Sequence, residues 1–183
     1  MKNQRCAWVP SDDVLYQKYH DEEWGVPLKD ERALFELLVL EGMQAGLSWR
    51  LILGRREEMR KAFHNFDPCI CANLSDEALD AIMEMSGVIR SRKKVEMVRR
   101  NAAAFLEFNG GFSNWIWDFV DHKPIIGGKE LVCETPLSHT IAKELKSRGF
   151  TFVGPKIIYS FMQAAGLVND HEYACICKSL DFS

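Results

Sequence analysis

Four residues at the two ends of this 183-residue chain constrain its fold more than any other feature. Cys6 and His20 stand near the start, and His171 and Cys175 near the finish. Two thiolates and two imidazoles are the donor set that tetrahedral zinc prefers, so a chain using all four must bring its two ends together around one ion. His171 and Cys175 have a spacing that puts both on one face of a helix, within reach of a shared ion. The first pair is looser and says little alone. The plain alternative is a buried small thiol and a hydrogen-bonded histidine at each place. Cys177 rivals Cys175 as a ligand, while Cys69, Cys71 and Cys133 add no second pair of metal-binding spacing. Four protein ligands leave no open position for water, so such an ion would be a structural staple, one per chain. The zinc-protease helix motif is absent, as is the His-x-Glu with Pro-Cys-x-x-Cys pattern of nucleobase deaminases. Metal-assisted hydrolysis is correspondingly disfavoured.

With 47% of its residues apolar, the chain can bury a real core, either as one unit spanning 1–183 or as two closely packed helical lobes. No apolar stretch has signal-peptide or membrane-span length, so a cytoplasmic protein with reduced thiols and no membrane partner is expected. A formal net charge of −3 argues against indiscriminate polyanion binding. Charge is local, however. Arg90, Arg92, Lys93, Lys94, Arg99 and Arg100 crowd one segment, and Lys143, Lys146, Arg148 and Lys156 another. Such runs are usually solvated helix faces, so they permit a nucleic-acid partner without requiring one.

Hydrophobic periodicity predicts an all-α fold. Asp30 can cap a helix carrying Leu34, Phe35, Leu37, Leu38 and Glu41, and another begins near Ser48 beyond the loosening residues Gly42 and Gly46. Ser75 opens a helix that Gly87 stops, and the basic segment continues through Val95, Val98, Ala102, Phe105 and Leu106. Short helices follow over Ser113–Val120 and Ser138–Arg148. Pro155 suits the first position of a helix running to about Ala165. The best alternating stretch, Phe150–Val153, is too short for a sheet.

One junction has the form of a helix-hairpin-helix unit. A helix ends at Leu145–Gly149, Phe150–Gly154 makes a tight apolar turn, and Pro155-Lys156 begins the next helix. Free backbone N–H groups at such a turn can hold a phosphate without reading sequence, which makes Gly154 and Lys156 candidate DNA contacts. The pattern is weak by itself, because the usual hairpin has a second glycine where this chain has Phe152, and Met85–Arg90 is a competing turn. Aromatics form the other constellation: Trp8, Tyr16, Tyr19 and Trp24 surround the first two candidate ligands, and Trp49 follows Glu41 closely. Core packing accounts for any one of them. Glu41 is different, being a carboxylate at the end of an apolar helix that is unfavourable there unless it binds something. Aromatic faces with one carboxylate acceptor suit a flat, nitrogen-rich, cationic ring, and a flipped nucleobase is such a ring.

Four strings now bear on one family. They are Cys6-Ala7-Trp8; Tyr19-His20-Asp21-Glu22-Glu23-Trp24-Gly25-Val26-Pro27; Leu40-Glu41-Gly42 through Ala45-Gly46-Leu47-Ser48-Trp49; and Phe161-Met162-Gln163-Ala164-Ala165-Gly166-Leu167-Val168-Asn169-Asp170-His171. Together they resemble the bacterial DNA-3-methyladenine glycosylase I family over nearly the whole chain. The resemblance implies a helix-hairpin-helix glycosylase with structural zinc at Cys6, His20, His171 and Cys175. It places Glu41, Tyr19 and Trp49 in a base pocket, with Trp8, Tyr16 and Trp24 as aromatic support. The implied reaction hydrolyses the N-glycosidic bond of N3-methyladenine in double-stranded DNA and leaves an abasic site, with the protein acting as a monomer. Glu41 is then expected to hold the adenine edge, and Gly46 and Leu47 to enter the duplex. The wider superfamily often uses an aspartate after the hairpin; Asp170 is the nearest, but its place beside a ligand points to a structural role. No lysine has a claim to lyase chemistry. Two rivals remain at this level: a zinc-stapled binding module without catalysis, which leaves the Glu41 pocket without purpose, and a zinc hydrolase, which explains little beyond the metal.

Overall fold

Short polar side chains set most of the helix starts. In the computed structural model, which describes residues 4–127 and 132–178, Asp13 accepts from the Tyr16 amide at 3.0 Å and opens α1 (Val14–Glu22). Asp30 accepts from Ala33 at 2.9 Å and opens α2 (Glu31–Gln44); Ser48 accepts from Leu51 at 3.3 Å and opens α3 (Trp49–Ala62). A 3-10 turn (His64–Phe66) leads to the short α4 (Pro68–Ala72), and Ser75 caps α5 (Asp76–Glu84). Helix α6 (Arg92–Leu106) carries the basic run. Helix α7 (Phe112–Asp118) is capped from a distance: both Glu31 carboxylate oxygens accept from its first amides, at 3.1 Å from Phe112 and 2.9 Å from Ser113. Helix α8 (Pro136–Ser147) starts two residues before the expected Ser138, because Thr135 and Ser138 form a reciprocal capping box around Pro136. Helix α9 (Pro155–Ala164) follows.

Sheet is confined to a parallel pair, β1 (Ile125–Ile126) with β2 (Val168–Asn169), so the mostly helical expectation holds among the described residues. Helix α2 is the central element. Every residue from Leu34 to Met43 is buried, and apart from Glu36, which Arg56 and Arg60 pair, and Glu41 the surface is apolar all round, as only a helix enclosed by others can be. Helices α3, α6 and α9 pack around it, and α8 packs on α9 across the turn at residues 148–154. The buried side chains form one continuous cluster. The C-terminal segment departs from expectation: His171 to Lys178 is a series of turns and not a helix, so His171 and Cys175 do not share a helical face.

Candidate active site and metal centre

Glu41 sits on the last turn of α2, only 4% exposed, and its Oε2 has no hydrogen-bond partner among the described residues. Burial with no compensating cation pushes its carboxyl from 4.5 up to about 8. The chain leaves α2 sharply beyond it. Gly46 adopts φ +76°, a left-handed conformation natural to glycine, and Leu47 is turned outward and partly exposed. A cavity of about 220 Å³ opens here, lined by Glu41, Gln44, Ala45, Gly46 and Leu47 on one side and Lys156, Ile157 and Ser160 of α9 on the other. The expected DNA contacts Gly46, Leu47 and Lys156 thus meet at one opening with Glu41. Gly154 lies just outside, as the residue before α9.

Trp49, the first residue of α3, packs on Tyr19 of α1 with ring centroids 5.4 Å apart. Its indole Nε1 is buried and also lacks a partner among the described residues. Tyr19 and Tyr16 both have raised pKa values, first from burial and in part from the Glu41 charge, which puts both phenols on the Glu41 side of the molecule. A buried acceptor and a buried donor, both unsatisfied, are costly unless a ligand completes them. Trp8 and Trp24 belong elsewhere. Trp24 packs edge-on against His171 at 4.6 Å and stacks near His20, and Trp8 lies against Trp24, His20 and Tyr16. Both cover the histidine–cysteine cluster, and only Tyr16 links them to the pocket side.

That cluster gathers His20, His171, Cys175 and Cys177, all buried, with ligand atoms within 4.8 Å of one another. Cys6 adjoins it: the Cys6 thiol lies beside that of Cys175, and its Sγ accepts from the Glu172 amide at 3.3 Å. Each imidazole is oriented from outside. His20 Nδ1–H donates to Asp21 Oδ1 at 2.8 Å, leaving Nε2 to face Cys175 Sγ at 3.4 Å. Arg5 in turn grips Asp21 through two nitrogens. His171 Nδ1–H donates to Asn169 Oδ1 at 3.0 Å, and its Nε2 is buried with no partner among the described residues. Two inward lone pairs fixed by outer acceptors, beside buried sulfurs, fit a soft tetrahedral ion. Burial lowers the His171 pKa to about 4 and raises the Cys6 and Cys177 thiols alike to about 12. Gly25 makes the packing possible: at φ +77°, a Cβ there would come within 2.7 Å of the His171 ring.

Several features have no clear signal in the sequence. Lys94 lies in a basic run yet is buried, and Arg92 and Arg99 of the same run are neutralised by Asp76, Asp80 and Glu96. At the hairpin, Gly149 adopts φ +94° and Phe152 φ +55°, so phenylalanine takes a backbone conformation usually left to glycine. The competing turn at Met85–Arg90 packs against α3, where a Cβ on Gly87 would meet Glu58. Asp170 is held through Oδ2, which accepts from the Tyr159 hydroxyl at 2.6 Å and from Gln163 at 2.7 Å.

Residues 8–178 match the family model described as methyladenine glycosylase. The chain belongs to the methyladenine glycosylase family. It is similar to the DNA-3-methyladenine glycosylase 1 of Escherichia coli strain K12, with 46% identity over 95% of this chain and 96% of that protein. A DNA-3-methyladenine glycosylase of Haemophilus influenzae is 45% identical over 96% and 98%. Among solved structures, a Staphylococcus aureus 3-methyladenine DNA glycosylase I described for its recognition of 3-methyladenine superposes with a TM-score of 0.92. It shares 36% identity over 96% of this chain and 97% of that one. For this methyladenine glycosylase family member, the Glu41 opening is therefore the place to seek a base.

Proposed function

We propose that this protein is a DNA base-excision repair glycosylase that hydrolyses the N-glycosidic bond of N3-methyladenine in double-stranded DNA. The observation that carries the reading is the pair of unsatisfied buried groups, Glu41 Oε2 and Trp49 Nε1, within a family whose named relatives act as 3-methyladenine glycosylases. An extruded base offers N–H donors and ring-nitrogen acceptors that match such a pair. Methylation at N3 makes the purine cationic. Binding it brings positive charge to Glu41, which favours the carboxylate over the acid form that burial imposes. Tyr19 and Trp49 supply the aromatic surfaces.

In the reaction, the bond from C1′ to N9 breaks and its electron pair passes to the purine, which leaves neutral. Water adds to C1′ and gives up a proton, leaving an abasic site. The charged leaving group is already labile, so recognition after extrusion is the harder task, and Glu41 serves it by binding the base edge. Lys156, the lysine that lines the opening, is exposed at the start of α9 and is assigned to phosphate, so the reading is of a monofunctional enzyme. Leu47 and Gly46 fill the gap left in the duplex, and the α8–α9 hairpin serves as a helix-hairpin-helix contact whose amides near Gly154 and Lys156 meet phosphate.

The same reading includes one structural zinc held by His20, His171, Cys175 and Cys6. The donor set and the unpartnered His171 Nε2 support a metal. Cys6 is preferred to Cys177 as the fourth ligand because its sulfur accepts a backbone N–H, a contact that favours thiolate. The reading is completed by a cytoplasmic monomer; among the described residues no helix is long and apolar enough to cross a membrane. Incubation with methylated duplex DNA and chromatography of the released purines is the test. Release of 3-methyladenine without strand cleavage supports the reading; metal-dependent phosphodiester cleavage, or binding without release, would replace it.

A further inference from the structure

Helix α6 reaches both loops that border the Glu41 opening. Lys94, on its first turn, is 8% exposed and donates to the carbonyls of Met43 at 2.8 Å and Ala45 at 2.6 Å. Met43 lies in the last turn of α2 and Ala45 in the loop beyond, so one ammonium ties the helix end to the outgoing chain. Two turns further on, Asn101 holds the hairpin with a reciprocal pair: its Nδ2 donates to Thr151 O at 3.0 Å and its Oδ1 accepts from Thr151 N at 2.8 Å. Met97 between them occupies the space beside Gly42, where a Cβ would meet its Cε at 3.2 Å.

Burying an ammonium with only carbonyl partners is unfavourable, and an apolar side chain of similar volume would serve packing at least as well. What Lys94 adds is directional. The carbonyls at a helix C-terminus lack intrahelical partners and carry the negative end of the dipole, and a cation that grips two of them fixes how the chain departs. We propose that Lys94 is a positioning residue for base excision: from α6 it fixes the exit of residues 45–47 from α2, so that Glu41 and Leu47 keep their spacing to the hairpin that Asn101 anchors on the same helix. This rests on the glycosylase reading above.

The test uses the full chain with K94M, K94Q and K94R, thermal midpoints being recorded for each. Lys94→Met keeps length and volume but removes every donor. It is expected to slow single-turnover excision from methylated duplex about 10- to 100-fold, the range that a 1 Å misplacement can produce. Affinity for a duplex carrying a tetrahydrofuran abasic-site analogue should fall with it. Binding of free 3-methyladenine should change by less than about threefold, because the base contacts themselves remain. Excision should rank wild type, K94R, K94Q, K94M, because arginine keeps the charge on a bulkier planar fork, glutamine keeps donors without the charge and methionine keeps neither, and K94R against K94Q decides the matter if K94M does not fold. Wild-type rates in K94M, or equal losses in free-base binding and excision, would overturn the positioning role. Failure of the wild type to release any base would instead overturn the glycosylase reading and the proposal with it.

Discussion

Replacing Glu41 by glutamine should make the protein more stable at alkaline pH while weakening its hold on the base. In the unfolded chain this carboxyl ionises near 4.5, and in the folded chain burial delays ionisation to about 8. Below pH 4.5 both states are protonated and ionisation favours neither. As pH rises, the unfolded chain releases its proton while the folded chain keeps it, so stability present at low pH is progressively lost up to about pH 8. At about 1.36 kcal/mol per pH unit between the two values, the loss is on the order of 5 kcal/mol above pH 8 and about 1 kcal/mol at pH 5.5. The Glu41→Gln amide cannot ionise and escapes that loss. The assay is urea unfolding of both proteins from pH 5.5 to 8.5 at one metal content, so that the other titrating groups cancel in the difference. The stability advantage of Glu41→Gln should widen steadily toward alkaline pH. A difference that is flat, or that favours wild type at pH 8.5, would show that Glu41 is satisfied in the free protein and would remove the reason for calling its surroundings a waiting pocket.

Three further outcomes are expected. Cys6→Ser should reduce zinc from about one per chain and lower the thermal midpoint, whereas Cys177→Ser should keep its zinc; metal analysis of the two purified variants decides between them, and the reverse pattern would move the fourth ligand to Cys177. Asp21→Asn, which weakens the outer acceptor of His20, should cost about 10- to 100-fold in metal affinity by competition with a chelator, and no change would make Asp21 merely the partner of Arg5. Leu47→Ala should weaken binding to an abasic-analogue duplex more than it weakens binding of free 3-methyladenine, and equal losses would mark Leu47 as a packing residue.

Local chemistry was legible in the sequence wherever the partner was local. Asp30, Ser48 and Ser75 accept from amides three residues ahead, and each marks a real helix start. The cap of α7 is not of that kind, since Glu31 supplies it from far along the chain and nothing near Phe112 announces it. Glu41 stood out because a carboxylate among apolar helical neighbours is anomalous in any fold. Lys94 did not, because a lysine within a basic run looks solvated until the end of α2 is placed against it. The resemblance implies Trp8 and Trp24 as aromatic support for the pocket, and in the structure both indoles pack over the histidines of the cysteine cluster. Adjacent residues on a helix point to different faces, and those two indoles follow His20 toward the cysteines while Tyr19 turns toward Trp49. Nor did His171 and Cys175 need a helix to meet: a chain of turns, with Gly25 making room for the imidazole, brings them together.

The adjacency of Tyr19 and His20 gives the proposed staple a purpose beside the proposed base pocket. Helix α1 is nine residues long, too short to be stable or well placed by its own hydrogen bonds. Its beginning is tied to α3 by the ion pair of Asp13 with Arg50 at 2.7 Å. Its end carries His20, whose Nε2 faces Cys175 at 3.4 Å, and the residue before it packs on Trp49 at 5.4 Å. Any ion that fixes His20 therefore fixes Tyr19 through one peptide bond, and with it one wall of the aromatic pair. A zinc held by the four proposed ligands would have no open position for water and would act on the reaction only through that placement, since Glu41 lies on α2, outside the proposed ligand set. Removing the ion should accordingly loosen the Tyr19–Trp49 wall and base affinity together, and leave untouched any step that depends on Glu41 alone.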